Sequence, residues 1–160
     1  MVDRWIASIA SVLLAAACHG CANPPVTPST AHSTPVPVIL SAMMTGSVIP
    51  GGADATIFFA IENHGTTDLE LTFPSSCHIL PYIKQHDVMI YPAGGWGCAT
   101  VITHLTVPAG GDATQEVRLR AAPTAAYPVV ALGPGDYVAF ATVDSSSHHL
   151  TSPVVRFTVE

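Results

Sequence analysis

The chain has 160 residues, of which 49% are hydrophobic and 10% charged, and its formal net charge is −6 at pH 7. This length suggests one domain once any targeting segment is removed. Five Lys and Arg residues in the whole chain cannot form the basic cluster that displaces counterions from nucleic acid, so the composition excludes nucleic-acid binding. The acidic balance also argues against adhesion to anionic lipid headgroups.

The chain begins with a predicted signal peptide, residues 1–17. An uncharged run over residues 6–17 is shorter than the roughly 20 apolar residues that span a bilayer, and it has the length of a secretory signal. The small residues before Cys18 resemble a bacterial lipobox, with leucine one position earlier than usual. We therefore expect export from the cytoplasm and a lipid anchor at Cys18. Ordinary cleavage near Ala17, which leaves a secreted or periplasmic protein, is the alternative.

Residues 18–37 are predicted to be a linker that starts at the lipid-acceptor cysteine. Pro, Ser and Thr dominate residues 22–37, and no hydrophobic period is present, which is typical of a disordered or polyproline-like tether. A segment of this length reaches roughly 50 Å at about 3.1 Å per residue. A lipid followed by such a spacer predicts a domain displayed outside the cytoplasm. Cys21 also lies in this segment, and the sequence assigns it no role.

Short β-like runs separated by turn residues fill the predicted domain, residues 38–160. The strongest run, residues 55–62, is rich in aromatic and β-branched residues, and residues 69–73 alternate apolar and polar side chains. Helical spacing is absent. The pattern predicts an all-β fold, a single immunoglobulin-like antiparallel β-sandwich of about seven to eight strands, with a barrel as the structural alternative. The predicted runs are 36–43, 55–62, 69–73, 79–83, 88–91, 100–107, 114–120, 136–143 and 154–159.

Cys77 and Cys98 lie within this domain and are predicted to form a disulfide. Two cysteines outside the reducing cytoplasm most readily pair. Closing a loop of about 22 residues stabilises a fold by roughly 3 kcal/mol in the chain-entropy model. A redox or metal-binding role is the weaker interpretation, because the spacing is not Cys-x-x-Cys and no His-x-x-x-His accompanies it.

Eight histidines make a metal site worth weighing, with His148, His149, His78 and His104 as weak candidates. Neighbours on a strand point to opposite faces, so His148 and His149 are expected in a polar turn over residues 145–149. His78 and His104 flank the cysteines, yet blue-copper sites gather Cys, His and Met in one late loop. We therefore expect no metal ligand set and no cofactor. A metal-handling envelope protein that uses its histidines remains the alternative function.

A hydrolase is the second alternative function. Ser75 or Ser76, with His78 and Asp87, supply the residue types of a nucleophilic triad. The chain lacks the Gly-x-Ser-x-Gly elbow, and no paired carboxylates lie in an apolar setting. We therefore expect no catalytic residues and no enzymatic activity.

A glycine-rich loop around Trp96 provides a candidate binding site. An aromatic side chain on such a loop is a natural anchor for a partner, and Tyr82 and Tyr91 on the neighbouring strands are candidates for the same role. The alternative is that Trp96 folds back over the predicted disulfide and caps one end of the core.

Four motifs in chain order carry a resemblance to a known family. Residues 59–65 end in Asn-His-Gly, residues 69–75 end in Phe-Pro-Ser, residues 105–110 read Leu-Thr-Val-Pro-Ala-Gly, and residues 132–137 read Leu-Gly-Pro-Gly-Asp-Tyr. Together they resemble the BsuPI-type proteinase-inhibitor domain over about residues 55–143. The resemblance implies an immunoglobulin-like sandwich and protease inhibition. Its motifs are structural, so it assigns no inhibitory residues.

These observations predict a cell-envelope lipoprotein that carries a non-catalytic immunoglobulin-like binding domain. The expected partner is another protein or an envelope component, and a protease is the version that the family resemblance implies. The membrane is expected to be reached through the N-terminal lipid. Nothing in the sequence fixes the oligomeric state.

Overall fold

The structure is a computed structural model that describes residues 38–160, and the regular elements it describes are β-strands. The predicted signal peptide, Cys18 and the linker lie outside the described residues. Within residues 38–160 no helix is long and apolar enough to cross a membrane. The strands are β1 (Val38–Met44), β2 (Val48–Ile49), β3 (Asp54–Asn63), β4 (Leu69–Phe73), β5 (Leu80–Gln85), β6 (Val88–Tyr91), β7 (Thr103–Val107), β8 (Asp112–Ala121), β9 (Val130–Leu132), β10 (Gly135–Asp144), β11 (His149–Thr151) and β12 (Val155–Val159).

Two larger sheets and a two-stranded ribbon enclose the core. The four-stranded sheet has the order β1-β3-β8-β9, and the six-stranded sheet has the order β2-β12-β10-β5-β6 with β11 beside β10. Strands β4 and β7 pair separately as a ribbon. The predicted all-β immunoglobulin-like sandwich is therefore confirmed, and the barrel alternative is not what the chain forms.

Residues 38–160 form twelve strands, more than the predicted seven to eight, and three of them are short elements that the sequence pattern does not predict. Strands β2, β9 and β11 contain two or three residues each, which is too few for an alternating pattern to show in the sequence. The pairs β2/β12 and β8/β9 are also parallel. The prediction of an antiparallel sandwich is thus corrected at one edge of each sheet. There β2 pairs with β12, and β9 pairs with β8, in the parallel direction.

The alternation of β3 and β10 explains how the two sheets share one core. In β3, Ile57, Phe59 and Ile61 are fully buried, and the residues between them face outward. In β10, Ala139 and Ala141 point inward in the same manner and belong to the same buried cluster. A period of two along both strands therefore places one face of each sheet in the core and frees the other for contacts.

Tyr137 forms a tyrosine corner at the start of β10. Its hydroxyl donates a hydrogen bond to the carbonyl oxygen of Gly133 at 2.8 Å, and its ring stacks on Phe157 with centroids 5.5 Å apart. A tyrosine that bonds back to the backbone a few residues upstream is a hallmark of immunoglobulin-like sandwiches. Burial raises the pKa of Tyr137, so the neutral hydroxyl that makes this bond is favoured in the folded chain.

Candidate functional site

Four aromatic side chains cluster along the β10–β5–β6 side of the six-stranded sheet. Tyr82 and Phe140 are cross-strand partners whose rings stack at 5.2 Å between centroids. Trp96 meets Tyr82 and Tyr91 edge-on, at centroid distances of 6.1 and 5.4 Å. We name these four residues the aromatic surface. The structure thus brings together the three aromatic residues singled out in the sequence and adds Phe140, which the alternation of β10 places on the outward face.

Trp96 reaches this surface because its loop turns back on the sheet. Gly94 and Gly95 have φ values of 83° and 96°, a left-handed conformation that glycine adopts without steric cost. The indole is half-buried, and its Nε1 is buried without a hydrogen-bond partner in the described part of the chain. The loop thus turns back so that the ring rests against Tyr82 and Tyr91. The alternative in which the ring covers the disulfide and caps one end of the core stays a prediction.

Tyr127 lies in the loop between β8 and β9 and is a candidate to extend the aromatic surface. Burial raises the pKa of Tyr91, and the charge of an ionised Tyr127 raises it further, so the two hydroxyls are within electrostatic range. The side chain of Tyr127 is 97% exposed. The sequence does not single out this residue, since a lone tyrosine in an alanine- and proline-rich loop belongs to no recognisable pattern.

Charged residues border the aromatic surface. The Nζ of Lys84 lies 5.5 Å from the ring centroid of Phe140, which is a cation–π distance. Val138 pairs with Lys84 on one side and Arg156 on the other, and all three line a groove of about 550 Å³. His86, Asp87 and Asp136 also line this groove. Lys84 therefore connects the aromatic surface to a groove whose lining carries both signs of charge, and charged residues are common at the rims of protein–protein interfaces.

The predicted disulfide between Cys77 and Cys98 is present and joins the loops beside this surface. The Cα atoms of the two cysteines are 5.6 Å apart. Next to the bridge, the Ser76 amide donates to the Ala99 carbonyl at 3.0 Å, and the Ala99 amide donates to Ser76 Oγ at 2.9 Å. The β4–β5 and β6–β7 loops are therefore joined both by the disulfide and by two hydrogen bonds between Ser76 and Ala99.

His78 and His104 lie on opposite faces of the β4–β7 ribbon. The Nε2 of His78 is hydrogen-bonded to Thr103 at 2.9 Å, and its ring packs on the buried Phe73 at 4.6 Å between centroids. The Nδ1 of His104 is hydrogen-bonded to Thr72 at 3.1 Å on the outward face. The structure therefore does not bring these two metal candidates together.

His148 and His149 also diverge. His148 lies in the turn and is hydrogen-bonded to Ser147 at 2.9 Å, whereas His149 begins β11 and is hydrogen-bonded to Asp144. The predicted turn therefore ends one residue earlier than expected. Over residues 38–160, no group of three or more His, Cys, Asp or Glu side chains is placed to share a metal ion.

The serine candidates for a nucleophile do not meet a base. The Oγ atoms of Ser75 and Ser76 each accept a backbone N–H, and the imidazole of His78 is bonded to Thr103 instead. The nucleophile–base hydrogen bond of a serine triad is therefore not formed at these residues.

Comparison with known proteins finds similarity in architecture alone. No protein-family model matches the chain, and no curated protein matches it. The CARDB domain of PF1109 from Pyrococcus furiosus is 12% identical with a TM-score of 0.44, covering 77% of this chain and 94% of that one. Spo0M, a sporulation control protein from Bacillus subtilis, is 10% identical with a TM-score of 0.42, covering 77% of this chain and 49% of that one.

A β-glucosidase from Erythrobacter marinus is 13% identical with a TM-score of 0.40, covering 77% of this chain and 16% of that one. The chain thus spans 49% of the Spo0M chain and 16% of the β-glucosidase chain. These similarities assign no residue role and no activity to this chain. The resemblance to the BsuPI-type domain stays a prediction.

Proposed function

We propose that the chain is a cell-envelope lipoprotein whose domain is a non-catalytic module that binds another protein through the aromatic surface. The observation that carries the proposal is the convergence of Tyr82, Tyr91 and Trp96, with the exposed Tyr127 nearby. Tyr and Trp dominate binding hot spots, because each joins a large apolar ring to a polar group at its edge. The predicted signal and lipid anchor at Cys18 supply the location.

The way the surface is built supports this role. Tyr82 and Phe140 stand on paired strands, and the loop of Trp96 is braced by the disulfide and by the hydrogen bonds between Ser76 and Ala99. A surface that is ordered before it meets its partner loses little conformational entropy on binding. The aromatic surface therefore suits recognition of a folded partner.

The first prediction concerns capture of the partner from envelope extracts by the mature chain. We expect Tyr127→Ala to lower recovery of the specific partner at least about tenfold, which is the size of a hot-spot effect. Because Tyr127 is almost fully exposed, its removal leaves the fold intact. Quantitative mass spectrometry of the captured proteins measures the change.

Phe58→Ala is the matched control for this capture, since Phe58 is a half-buried aromatic residue on the outward face of β3, in the other sheet. We expect this variant to recover the partner as the wild type does. If all three chains recover the same proteins in the same amounts, Tyr127 makes no contact with the partner, and the proposed extension of the aromatic surface to Tyr127 is wrong.

A second prediction follows from the narrower, inhibitor version of the proposal. If the partner is a protease, as the BsuPI-type resemblance implies, the purified chain inhibits a secreted serine protease in a dose-dependent manner, and Tyr127→Ala weakens the inhibition. Residual activity across a panel of secreted proteases measures it. If none of the proteases loses activity when the chain is added, the inhibitor version is wrong, and the broader proposal of protein binding is unaffected.

A further inference from the structure

The loop between β6 and β7 presents an apolar tip, Val101 and Ile102. These adjacent β-branched side chains are 51% and 70% exposed. Residues 88–111 contain no Asp, Glu, Lys or Arg. Ile102 also borders a shallow depression of about 290 Å³ lined in part by Phe73 and Pro74, with Asp144 at its edge. Adjacent exposed apolar residues on an uncharged segment indicate a contact surface.

The apolar tip is held in its exposed position. The amide of Val101 donates to the Ala99 carbonyl at 3.0 Å, and Thr103 Oγ1 donates to the Ser75 carbonyl at 2.6 Å. The disulfide lies just before this stretch. Because both flanks of the tip are fixed, Val101 and Ile102 are kept in solvent by the structure around them.

The tip lies at the end of the sandwich where the chain enters the domain. Val38 pairs with Asn63, the last residue of β3. Strand β12 ends beside β2, and β2 comes just before β3 in the chain, so β12 ends where β3 begins. Strand β10 runs antiparallel to β12. Strands β3 and β10 therefore end at the same end of the sandwich. Beyond β10, the Ser146 amide donates to the Thr72 carbonyl, which places the β4–β7 ribbon and the tip at this end too.

We propose that the apolar tip docks onto the lipid bilayer to which an acylated Cys18 ties the chain. The inference rests on the anchoring proposed above. Val101 and Ile102 enter the interfacial region, where apolar side chains are favoured, and residues 88–111 contain no Asp, Glu, Lys or Arg. The net charge of −6 excludes attraction to anionic headgroups as the driving force. Contact therefore depends on apolar burial.

The lipid anchor makes so small a tip sufficient. Two side chains give only weak partitioning for a protein that is free in solution. A chain that is already attached to the bilayer by a linker holds its tip at a high effective concentration near the surface. The predicted linker, residues 18–37, joins the domain at Val38, which lies at the same end of the sandwich as the tip. The linker therefore does not have to pass along the sandwich for the tip to reach the bilayer.

The test uses the mature chain on vesicles of phosphatidylethanolamine and phosphatidylglycerol, after its intact mass has shown whether Cys18 is acylated. Trp96 is the single tryptophan of the chain after residue 17 and shares the β6–β7 loop with the tip, so quenching of its fluorescence by brominated acyl chains reports the approach of this loop to the bilayer. We expect quenching in the wild type. We expect Ile102→Asp to lower the tip's partition at least about tenfold and to abolish most of that quenching.

Met43→Asp is the matched control, because Met43 is 66% exposed and lies on β1, near the opposite end of the sandwich. It places the same charge on an equally exposed apolar site, and we expect quenching to match the wild type. The double variant Val101→Ser/Ile102→Ser removes apolar surface without adding charge and is expected to behave as Ile102→Asp does. Unchanged melting of all variants shows that folding is not the cause.

The outcomes separate docking from anchoring. An acylated chain whose Trp96 is not quenched overturns docking and leaves the anchor intact. An unacylated chain that shows tip-dependent quenching overturns the anchor and retains docking. Equal quenching in Ile102→Asp and Met43→Asp overturns docking. If Ile102→Asp abolishes protein capture and leaves quenching unchanged, the tip belongs to a protein interface, and docking on lipid is wrong.

Discussion

Replacing Asn63 by alanine is expected to lower the free energy of unfolding by about 3–4 kcal/mol. Asn63 is 3% exposed, and its Nδ2 donates toward the carbonyl oxygens of Thr67, Val107 and Pro108 at 2.9, 3.0 and 3.1 Å. Its Oδ1 accepts the Gly65 amide at 2.9 Å. Alanine leaves several of these groups without partners, and each buried unpaired group costs about 1–3 kcal/mol. Urea unfolding measures the change.

A carboxylate at the same position separates the role of the Asn63 amide as a hydrogen-bond donor from its role as an acceptor. Asn63→Asp keeps an acceptor for the Gly65 amide and loses both N–H donors, while it directs a buried charge at the carbonyl oxygens. Burial and these oxygens raise the pKa of the new carboxyl in the folded state. Its destabilising effect is therefore largest at neutral pH, where the carboxyl ionises, and is relieved as the pH falls below the raised pKa.

Gln115→Ala removes an exposed amide from β8 and serves as the control. We expect its unfolding curve to overlay that of the wild type. If Asn63→Ala unfolds like Gln115→Ala, water replaces the lost contacts, and the amide does not hold the ribbon to the sheet. If Asn63→Asp shows no relief in acid, the charge is not buried as the structure indicates.

Removal of the disulfide is expected to have an effect of similar size through a different cause. The double variant Cys77→Ser/Cys98→Ser frees a loop spanning a sequence separation of 21, which increases the entropy of the unfolded chain and lowers stability by about 3 kcal/mol. Because Trp96 lies two residues before Cys98, its ring is also expected to leave Tyr82 and Tyr91 more often. Urea unfolding and the emission maximum of Trp96 measure the two effects.

Reduction of the wild-type chain provides the internal control for the disulfide variant. A reductant should shift the wild-type unfolding curve to that of the double variant and should leave the variant unchanged. A loss of less than about 0.5 kcal/mol, the size of an ordinary surface substitution, would show that the hydrogen bonds between Ser76 and Ala99 already hold the loops together.

The fold was largely predictable, because the pattern of the long strands is intact in the sequence. Strands β3, β4 and β10 alternate buried and outward residues as their composition predicts. The tyrosine corner could also have been derived, since the Pro-Gly turn that precedes Tyr137 was recognised. Strand pairing was not predictable. The separate β4–β7 ribbon depends on contacts such as Asn63 to Val107, 44 residues apart, and no local pattern encodes a contact at that separation.

The sequence predicts three of the aromatic residues of the candidate site, Tyr82, Tyr91 and Trp96. It does not predict Phe140 or Tyr127. Trp96 was recognisable from its setting among glycines, and the disulfide from the compartment and the two cysteines. Phe140 is not identifiable from the sequence, because a phenylalanine in a strand is expected in the core unless the pairing register of β10 is known. Tyr127 is not identifiable from the sequence, because it is a candidate only through its high exposure and its electrostatic effect on Tyr91. Exposure and proximity are properties of the folded surface, which single-sequence patterns do not carry.

If the proposed anchor at Cys18 and the proposed docking of the apolar tip are right, the placement of the aromatic surface decides how the chain would encounter a partner. The surface runs along the flank of the six-stranded sheet, whereas Val38, where the chain enters, lies at one end of the sandwich. With the tip docked as proposed, the flank would face sideways, along the plane of the bilayer. Partners confined to the same membrane would then be met by lateral diffusion in two dimensions. Soluble partners would have to approach from the side, through the layer of neighbouring envelope proteins.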